Sequence, residues 1–359
     1  MRNLTQQAAS VANCQKTSLP GACAGRPTSM DDTRSLLKAR KAKRGQLTRQ
    51  PKRVGPYLLL RRLGAGGMGE VFLARHRMLG RLCAVKLIRP EHKGDGSALA
   101  RFTREAQTTA RLAHWNTAQV YDYGKTRDGC FYYAMEYLPG LNLEEMLRED
   151  GPLPAERVVH LLRQVCQSLR EAHALGLVHR DVKPANVIVT ERGGLYDVAK
   201  LLDFGLVKPS ADAASPRLTQ DGAISGTPLF MSPEQARDAD AVDARSDIYS
   251  LGAVAYALLT GRPPFEGKTP VAVILAHAYD EVTPPSRLNP GVPADLEAVV
   301  LRCLAKLPDE RIQCAADLEE ALARCADAEK WTQSQAARWW QERAQTTATK
   351  RKAVNTATI

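Results

Sequence analysis

Apolar and polar residues recur with two different periods along this chain, and the period changes near Gly140. Upstream, Tyr57-Leu-Leu-Leu-Arg-Arg-Leu63, Glu70-Val-Phe-Leu-Ala-Arg75 and Leu82-Cys-Ala-Val-Lys-Leu-Ile88 read as strands, the first two flanking a glycine cluster. From Arg101, the residues Phe102, Ala106, Thr109 and Ala113 fall at helical spacing. Two short strands are expected near Ala118 to Tyr123 and Phe131 to Glu136, ending at Pro139-Gly140. Downstream the pattern is helical. Glu156 to Ala174 has an apolar face of Val158, Val159, Leu161, Leu162, Val165 and Leu169, with Pro154 before it and Gly176 after it. Asn186-Val-Ile-Val-Thr190 and Val198-Ala-Lys-Leu-Leu202 flank Gly193-Gly194, a hairpin signal. Ser246 to Thr260 is apolar nearly all round and predicts a buried core helix. Helices near 270–279, 294–306 and 315–325 follow. The fold class is therefore α+β: a small β-rich lobe with one main helix, then a larger, mostly α-helical lobe. No internal repeat is visible.

The 359 residues are enough for two domains or one large two-lobed one. With 44% hydrophobic and 25% charged residues, the composition is that of an ordinary globular protein and excludes collagen and coiled coil. No apolar run approaches the length of a membrane span; the best, Leu251 to Leu259, is short and follows Asp247 closely. No secretory signal is visible, and Met30 is an alternative start. Eight cysteines are scattered without a CxxC pair, which predicts reduced thiols and a cytoplasmic setting. The net charge of +11 invites an anionic partner. Its distribution removes the invitation. Residues 1–53 hold 12 basic and 2 acidic residues, residues 331–359 hold 5 and 1, and the body between them sums to −3. The arm 1–53 has few large apolar residues and is expected to be disordered. No nucleic-acid partner is expected, because aromatics do not interleave the basic residues, and no lipidation motif is present.

Leu63-Gly64-Ala65-Gly66-Gly67-Met68-Gly69-Glu70-Val71 contains G-x-G-x-x-G, a weak signal alone. A strand rather than a helix follows, so the loop is not a dinucleotide fingerprint, and no Gly-Lys-Ser/Thr makes it a Walker loop. Either it is a flexible hairpin or its glycines let the backbone approach a polyphosphate. Lys86 lies in the apolar strand Ala84-Val85-Lys86, either as a solvent-facing edge lysine or as a cation over phosphates. Glu105, three residues from Phe102, lies on the inward face of the next helix and can partner it.

The most specific signal is His179-Arg180-Asp181-Val-Lys183-Pro-Ala-Asn186, followed by Asp203-Phe204-Gly205. With the glycine loop, Ala-Val-Lys, the helix glutamate and Ser232-Pro-Glu234, all in the expected order, the chain resembles the protein kinases, in particular the bacterial eukaryotic-like (Hanks-type) Ser/Thr kinases. The resemblance implies a two-lobed kinase domain over 54–327, with lobes at about 57–138 and 139–325; beyond it, 328–359 reads from its own residues as a short Trp-containing helix and a basic tail. It implies transfer of the γ-phosphate of ATP to Ser/Thr hydroxyls of protein substrates. The alternatives are a catalytically silent scaffold on the same fold or a small-molecule phosphotransferase; Gly226-Thr227-Pro228 and Ser232-Pro-Glu234 weigh against the last.

By this resemblance the glycine loop from Leu63 to Val71 covers ATP, and Lys86, held by Glu105, contacts its α- and β-phosphates. Asn186 and Asp203 are the ligands of Mg²⁺. Asp181 takes or orients the hydroxyl proton and Lys183 points toward the γ-phosphate. Backbone groups of Glu136 and Leu138 meet adenine, with Met135 at the rear of the pocket. Asp247 holds backbone N–H groups of the catalytic loop, and Glu234 with Arg311 forms a buried ion pair. Arg180 is suited to a phosphorylated loop residue, chiefly Thr219 and secondly Ser225. Thr227 would contact Asp181 and Lys183. Self-association for autophosphorylation fits this scheme. His114-Trp115-Asn116 departs from the usual His-Pro-Asn, a change expected to touch packing only. Trp331, Trp339 and Trp340 are expected to pack on the large lobe, a partner-docking helix being the alternative.

Overall fold

The computed structural model describes residues 52–66, 69–88, 109–126, 129–204, 228–237 and 241–356, with side chains as far as residue 346. The chain divides into units 1–50 and 51–359, and all described residues belong to the second. Most of the basic arm, Gly67, Met68, Glu105, the helix expected from Arg101 as far as residue 108, and the segment 205–227 with Gly205, Thr219, Ser225 and Thr227 lie outside the described residues.

The small lobe is built on one antiparallel sheet. Its strands are β1 (Arg53–Val54), β2 (Tyr57–Gly66), β3 (Gly69–His76), β4 (Leu82–Ile88), β5 (Val120–Lys125) and β6 (Phe131–Glu136), in the order β1-β2-β3-β4-β6-β5. Period-two alternation sorts its side chains. Cys83 and Val85 pack with Tyr57, Leu59, Ala74, Tyr132 and Ala134 on one face, while Ala84, Ile88, Tyr133 and Met135 fill the other. Lys86 is two residues from Ala84 and shares the second face. It lies opposite Val71 of β3 and Tyr133 of β6, so its strand is central and not an edge.

The large lobe opens with β7 (Gly140–Asn142) and α1 (Leu143–Asp150), neither anticipated from the sequence. Asn142 starts α1 with a capping box: its side chain accepts from Glu145 N at 2.8 Å, and the Glu145 carboxylate accepts from Asn142 N at 2.9 Å. Then come α2 (Ala155–Ala174), the hairpin β8 (Val187–Arg192) and β9 (Leu195–Leu201), α3 (Pro233–Arg237), α4 (Ala244–Thr260), α5 (Pro270–Tyr279), α6 (Ala294–Cys303), α7 (Ala315–Ala323) and α8 (Gln333–Thr356). The all-round apolar helix is α4, which is buried on every side. Gly252 lets it meet α6 closely, since a Cβ there would sit 2.5 Å from Cys303 Cβ. Helix α8 runs for 24 residues, far beyond the short helix expected. All three of its neighbouring tryptophans serve the large lobe: Trp331 and Trp340 bond to buried Asp197, and Trp339 packs on the core and on Arg157.

Buried polar contacts brace the helices. Arg311 Nη1 and Nη2 donate to Glu234 Oε1 and Oε2 at 2.8 and 2.7 Å, and Ser246 Oγ donates to Oε1 at 2.6 Å. Burial alone would raise the Glu234 carboxyl, but Arg311 and Ser246 outweigh it and hold the group below its ordinary value. Removing one partner of such a pair costs about 3–5 kcal/mol. On α5, His277 accepts at Nδ1 from the Tyr249 hydroxyl at 2.8 Å and donates from Nε2 to Leu229 O at 3.1 Å. Only the neutral ring can do both. Burial, reinforced by the Lys306 cation, pushes it down to about 4 against the Leu229 contact. The unfolded chain therefore binds one more proton here between pH 4 and 6.5, and stability is present above that window and lost as pH falls through it. We expect unfolding free energy to drop by about 3 kcal/mol more in the wild type than in His277→Gln between pH 6.5 and 4. Urea titrations at both pH values measure it; equal losses would contradict the assignment.

Candidate active site

The face of the sheet that carries Lys86 looks onto the end of β9. Lys86 Nζ lies 2.8 Å from Asp203 Oδ2, and the Tyr133 hydroxyl donates to Asp203 Oδ1 at 2.5 Å. Burial would raise the Asp203 carboxyl, yet the Lys86 ammonium and the Tyr133 hydroxyl reverse this and hold it below the carboxylate range. Tyr133 moves the other way: burial and then the Asp203 charge push it far up, so it stays a donor. Asp203 has φ +52, a left-handed conformation costly for a non-glycine residue, at the turn that ends the strand. Above it, β2 and β3 pair through Gly64 with Val71, Ala65 with Glu70 and Gly66 with Gly69. Gly69 has φ +152, and a Cβ there would lie 1.9 Å from Leu87 O, so only glycine fits between the hairpin and β4. Leu63, Gly64 and Ala65 are exposed along the hairpin, while Glu70 and Val71 are half-buried.

The second cluster lies in the loop between α2 and β8. Lys183 Nζ is 2.8 Å from Asp181 Oδ2, and Asn186 Nδ2 donates to Asp181 O at 2.8 Å and to Oδ2 at 3.1 Å. Asp247, fully buried in the first turn of α4, accepts from the backbone N–H of His179 at 2.8 Å and of Arg180 at 2.9 Å. His173 Nε2 reaches the same carboxylate at 2.8 Å. These bonds hold Arg180 at φ +64. His179 is buried and lowered by that burial, which the Asp247 carboxylate opposes. It bonds through Nε2 to Leu202 O at 2.7 Å and through Nδ1 to Asp181 N at 3.2 Å. Leu202 N in turn donates to Asn186 O at 2.8 Å, so backbone bonds join the Asp181 cluster to the residue before Asp203. Gln235 Nε2 on α3 donates to Arg180 O at 2.9 Å and ties the segment after residue 228 to the same loop.

Behind these clusters is the connection between lobes, where Met135, Glu136 and Leu138 are all buried. Glu136 N donates to Gln119 O at 2.8 Å, and its carboxylate meets Lys200 Nζ at 3.1 Å and the Arg192 guanidinium. Lys200 is 1% exposed and also donates to Thr117 O at 3.2 Å. Trp115, expected to matter only for packing, lies under both cations, 4.7 Å from Arg192 and 5.3 Å from Lys200. Asn116 beside it donates to Ala199 O at 2.8 Å and Gln164 Oε1 at 2.9 Å. The site residues inferred from the sequence thus fall into three joined groups, with Lys86 on Asp203 and Glu105 outside the described residues. Tyr133, Lys200, Gln235 and His173 were missed. A lysine in an otherwise apolar buried strand was the signal available for Lys200, and it is the same signal that marked Lys86.

The protein kinase domain family matches residues 57–322. The chain belongs to the protein kinase family. Within it the relatives are bacterial Hanks-type Ser/Thr kinases. The serine/threonine-protein kinase PknB of Mycobacterium leprae is 44% identical over 265 residues, 73% of this chain and 42% of that protein. PknB of Mycobacterium tuberculosis is 43% identical over 270 residues, 74% and 42%. Among solved structures, the Mycobacterium tuberculosis PknI kinase domain aligns with TM-score 0.60 and 30% identity, covering 77% of this chain and 98% of that one. The chain spans only about two fifths of the PknB proteins it matches. The two-lobed architecture is that of the kinase fold, and the family uses ATP and a divalent metal ion on protein substrates. Among the described residues no helix is long and apolar enough to cross a membrane.

The buried Lys200–Glu136 pair gives a direct test of the inter-lobe cluster. Lys200→Met should cost about 3 kcal/mol of stability by leaving a buried carboxylate short of a partner, and Lys200→Met/Glu136→Met should cost less than the sum of the single changes. A double-mutant cycle in urea measures the coupling, and strict additivity would contradict it.

Proposed function

We propose that this chain transfers the γ-phosphate of ATP to Ser/Thr hydroxyls of protein substrates. The observation that supports this best is the bonded path from Asp181 through Asn186 and Leu202 to Asp203 and Lys86. It gathers a base, a cation and two hard oxygen donors at one place. Asp181 accepts the hydroxyl proton as the substrate oxygen bonds to phosphorus and the bond to the ADP oxygen breaks. Lys183 offsets the charge beside it, and Lys86 holds the α- and β-phosphates, with Glu105 as the partner expected when nucleotide takes Asp203's attention elsewhere.

The donor set suits Mg²⁺: Asp203 is an ionised carboxylate, and Asn186 spends its amide nitrogen on Asp181, which turns the amide oxygen the other way. Mg²⁺ held by Asp203 and Asn186 would supply positive charge to offset that of the phosphates. The glycine hairpin, Leu63 to Val71 with Gly67 and Met68 at its tip, covers the phosphates, and backbone groups of Glu136 and Leu138 receive adenine. The domain layout that goes with this reading is an arm 1–53, a kinase domain 54–327 and a tail 328–359. Autophosphorylation on Thr219, then Ser225, through self-association, with Arg180 receiving the phosphate, would regulate a cytoplasmic enzyme.

Asp181→Asn removes the base while keeping the bond to Lys183's neighbourhood. Transfer from γ-labelled ATP to a protein substrate should fall about 10²- to 10⁴-fold. Equal rates for the variant and the wild type, or no transfer by the wild type, would overturn the proposal.

A further inference from the structure

Asp197 is fully buried, stands at φ +54, and has four hydrogen-bond donors on its carboxylate. Arg157 supplies two, Nε to Oδ2 at 2.8 Å and Nη2 to Oδ1 at 2.9 Å. The other two are indoles from beyond the matched family region: Trp331 Nε1 to Oδ2 at 2.9 Å and Trp340 Nε1 to Oδ1 at 2.7 Å. Each oxygen thus receives one guanidinium and one indole donor, the full capacity of a carboxylate. Trp339 closes the other side of Arg157, 3.9 Å from its guanidinium. Gln333 extends the contact to the backbone. Its amide accepts from Tyr196 N at 2.8 Å and donates to Tyr196 O at 3.0 Å, as a neighbouring strand would. Farther along α8, Arg343 bonds Asp150 at 2.7 and 2.8 Å and pairs with Glu149.

The contacts to Asp197 and Tyr196 grip the first residues of β9, while Trp339 packs on Arg157 of α2 and Arg343 reaches the end of α1. The same strand carries Lys200, on Glu136 of the inter-lobe connection, and leads through Leu202 into Asp203. It is pinned in its middle by Asn116, so it forms a short, fully bonded rod from the tryptophans to the aspartate. A buried carboxylate with half its donors withdrawn is unfavourable by the desolvation of the unmet oxygens, so loss of the indoles must move the strand or admit water.

We propose that the segment from Trp331 to Arg343 is an intramolecular positioning ligand: by completing the shell of Asp197 it sets β9, and through β9 the placement of Asp203 and Glu136 for nucleotide. This rests on the reading of Asp203 as the metal-holding residue. Because linkage is reciprocal, nucleotide bound at Asp203 must in turn tighten α8. A segment that merely stabilised the lobe would show neither effect.

The test uses the full chain and Trp331→Phe/Trp340→Phe, which keeps a six-membered aromatic ring at each position and removes both N–H donors together with the five-membered ring that carries them. Two quantities are read: KM for MgATP against kcat, and amide hydrogen exchange of residues 333–343 with and without Mg²⁺ and a non-hydrolysable ATP analogue. KM should rise at least about fivefold with a smaller change in kcat, and the analogue should slow exchange in α8 of the wild type but not of the variant. Gln333→Ala, on an exposed residue, should give a weaker form of the same KM shift and serves if the double variant fails to fold. Unchanged KM in the folded variants, or α8 exchange indifferent to bound analogue, would overturn the coupling. Asp203→Asn separates the two readings: if it binds the analogue with Mg²⁺ as the wild type does, the metal-holding role fails and the coupling with it.

Discussion

The carboxylate of Asp247 is the contact on which the loop carrying Asp181 depends. A loop residue held at positive φ relaxes unless its neighbours are fixed, and Arg180 at +64° is held through its own N–H and that of His179, both on Asp247. The aspartate can do this because α4 is buried all round and cannot shift or turn without breaking the core. From that anchor the rest follows by short steps. Arg180 O receives Gln235, His179 receives Asp181 N and grips Leu202 O, and Asp181 gathers Lys183 and Asn186. A core helix is thereby coupled to the charged groups that face solvent.

Strand β9 is the second organising element. It and the two residues after it place Asp197, Lys200 and Asp203 three residues apart, each a charge that burial penalises and that specific partners offset. Their partners come from different parts of the molecule. Asp197 is met by α2 and the C-terminal tryptophans, Lys200 by the inter-lobe connection, and Asp203 by the small-lobe sheet. An apolar strand would have packed as well. The charges give the strand a single register with respect to three neighbours at once, at the cost of a network in which no member can be removed alone.

Much of this was legible in the residues. Period two followed by period 3.6 located both lobes, and the buried helix, the hairpin and the Asp181 cluster lie where their patterns placed them. What escaped reading has a common cause. Lys200 and Tyr133 sit within apolar runs, and their partners, Glu136 and Asp203, are fixed only by tertiary packing. The tryptophans were conspicuous, yet nothing local links Trp331 to a carboxylate 134 positions earlier. Helix α8 was expected to be only a short helix around the tryptophans; the high helix propensity of its Ala, Gln and Arg residues extends it to 24 residues once its first turns are docked. Asn142 and Glu145 carried a capping signal that marked α1, and the adjacent Pro139-Gly140 was read only as a strand end.

If the Asp247 anchor governs the loop, its charge and not its volume is what counts. Asp247→Asn keeps the shape but offers one acceptor oxygen where two backbone N–H groups and His173 require a carboxylate. The decisive measurement is kcat for phosphate transfer by this variant beside its urea unfolding midpoint. The account predicts a folded protein with kcat reduced at least about tenfold, the loss of one charge-assisted hydrogen bond at the loop. A folded variant with wild-type kcat would contradict it.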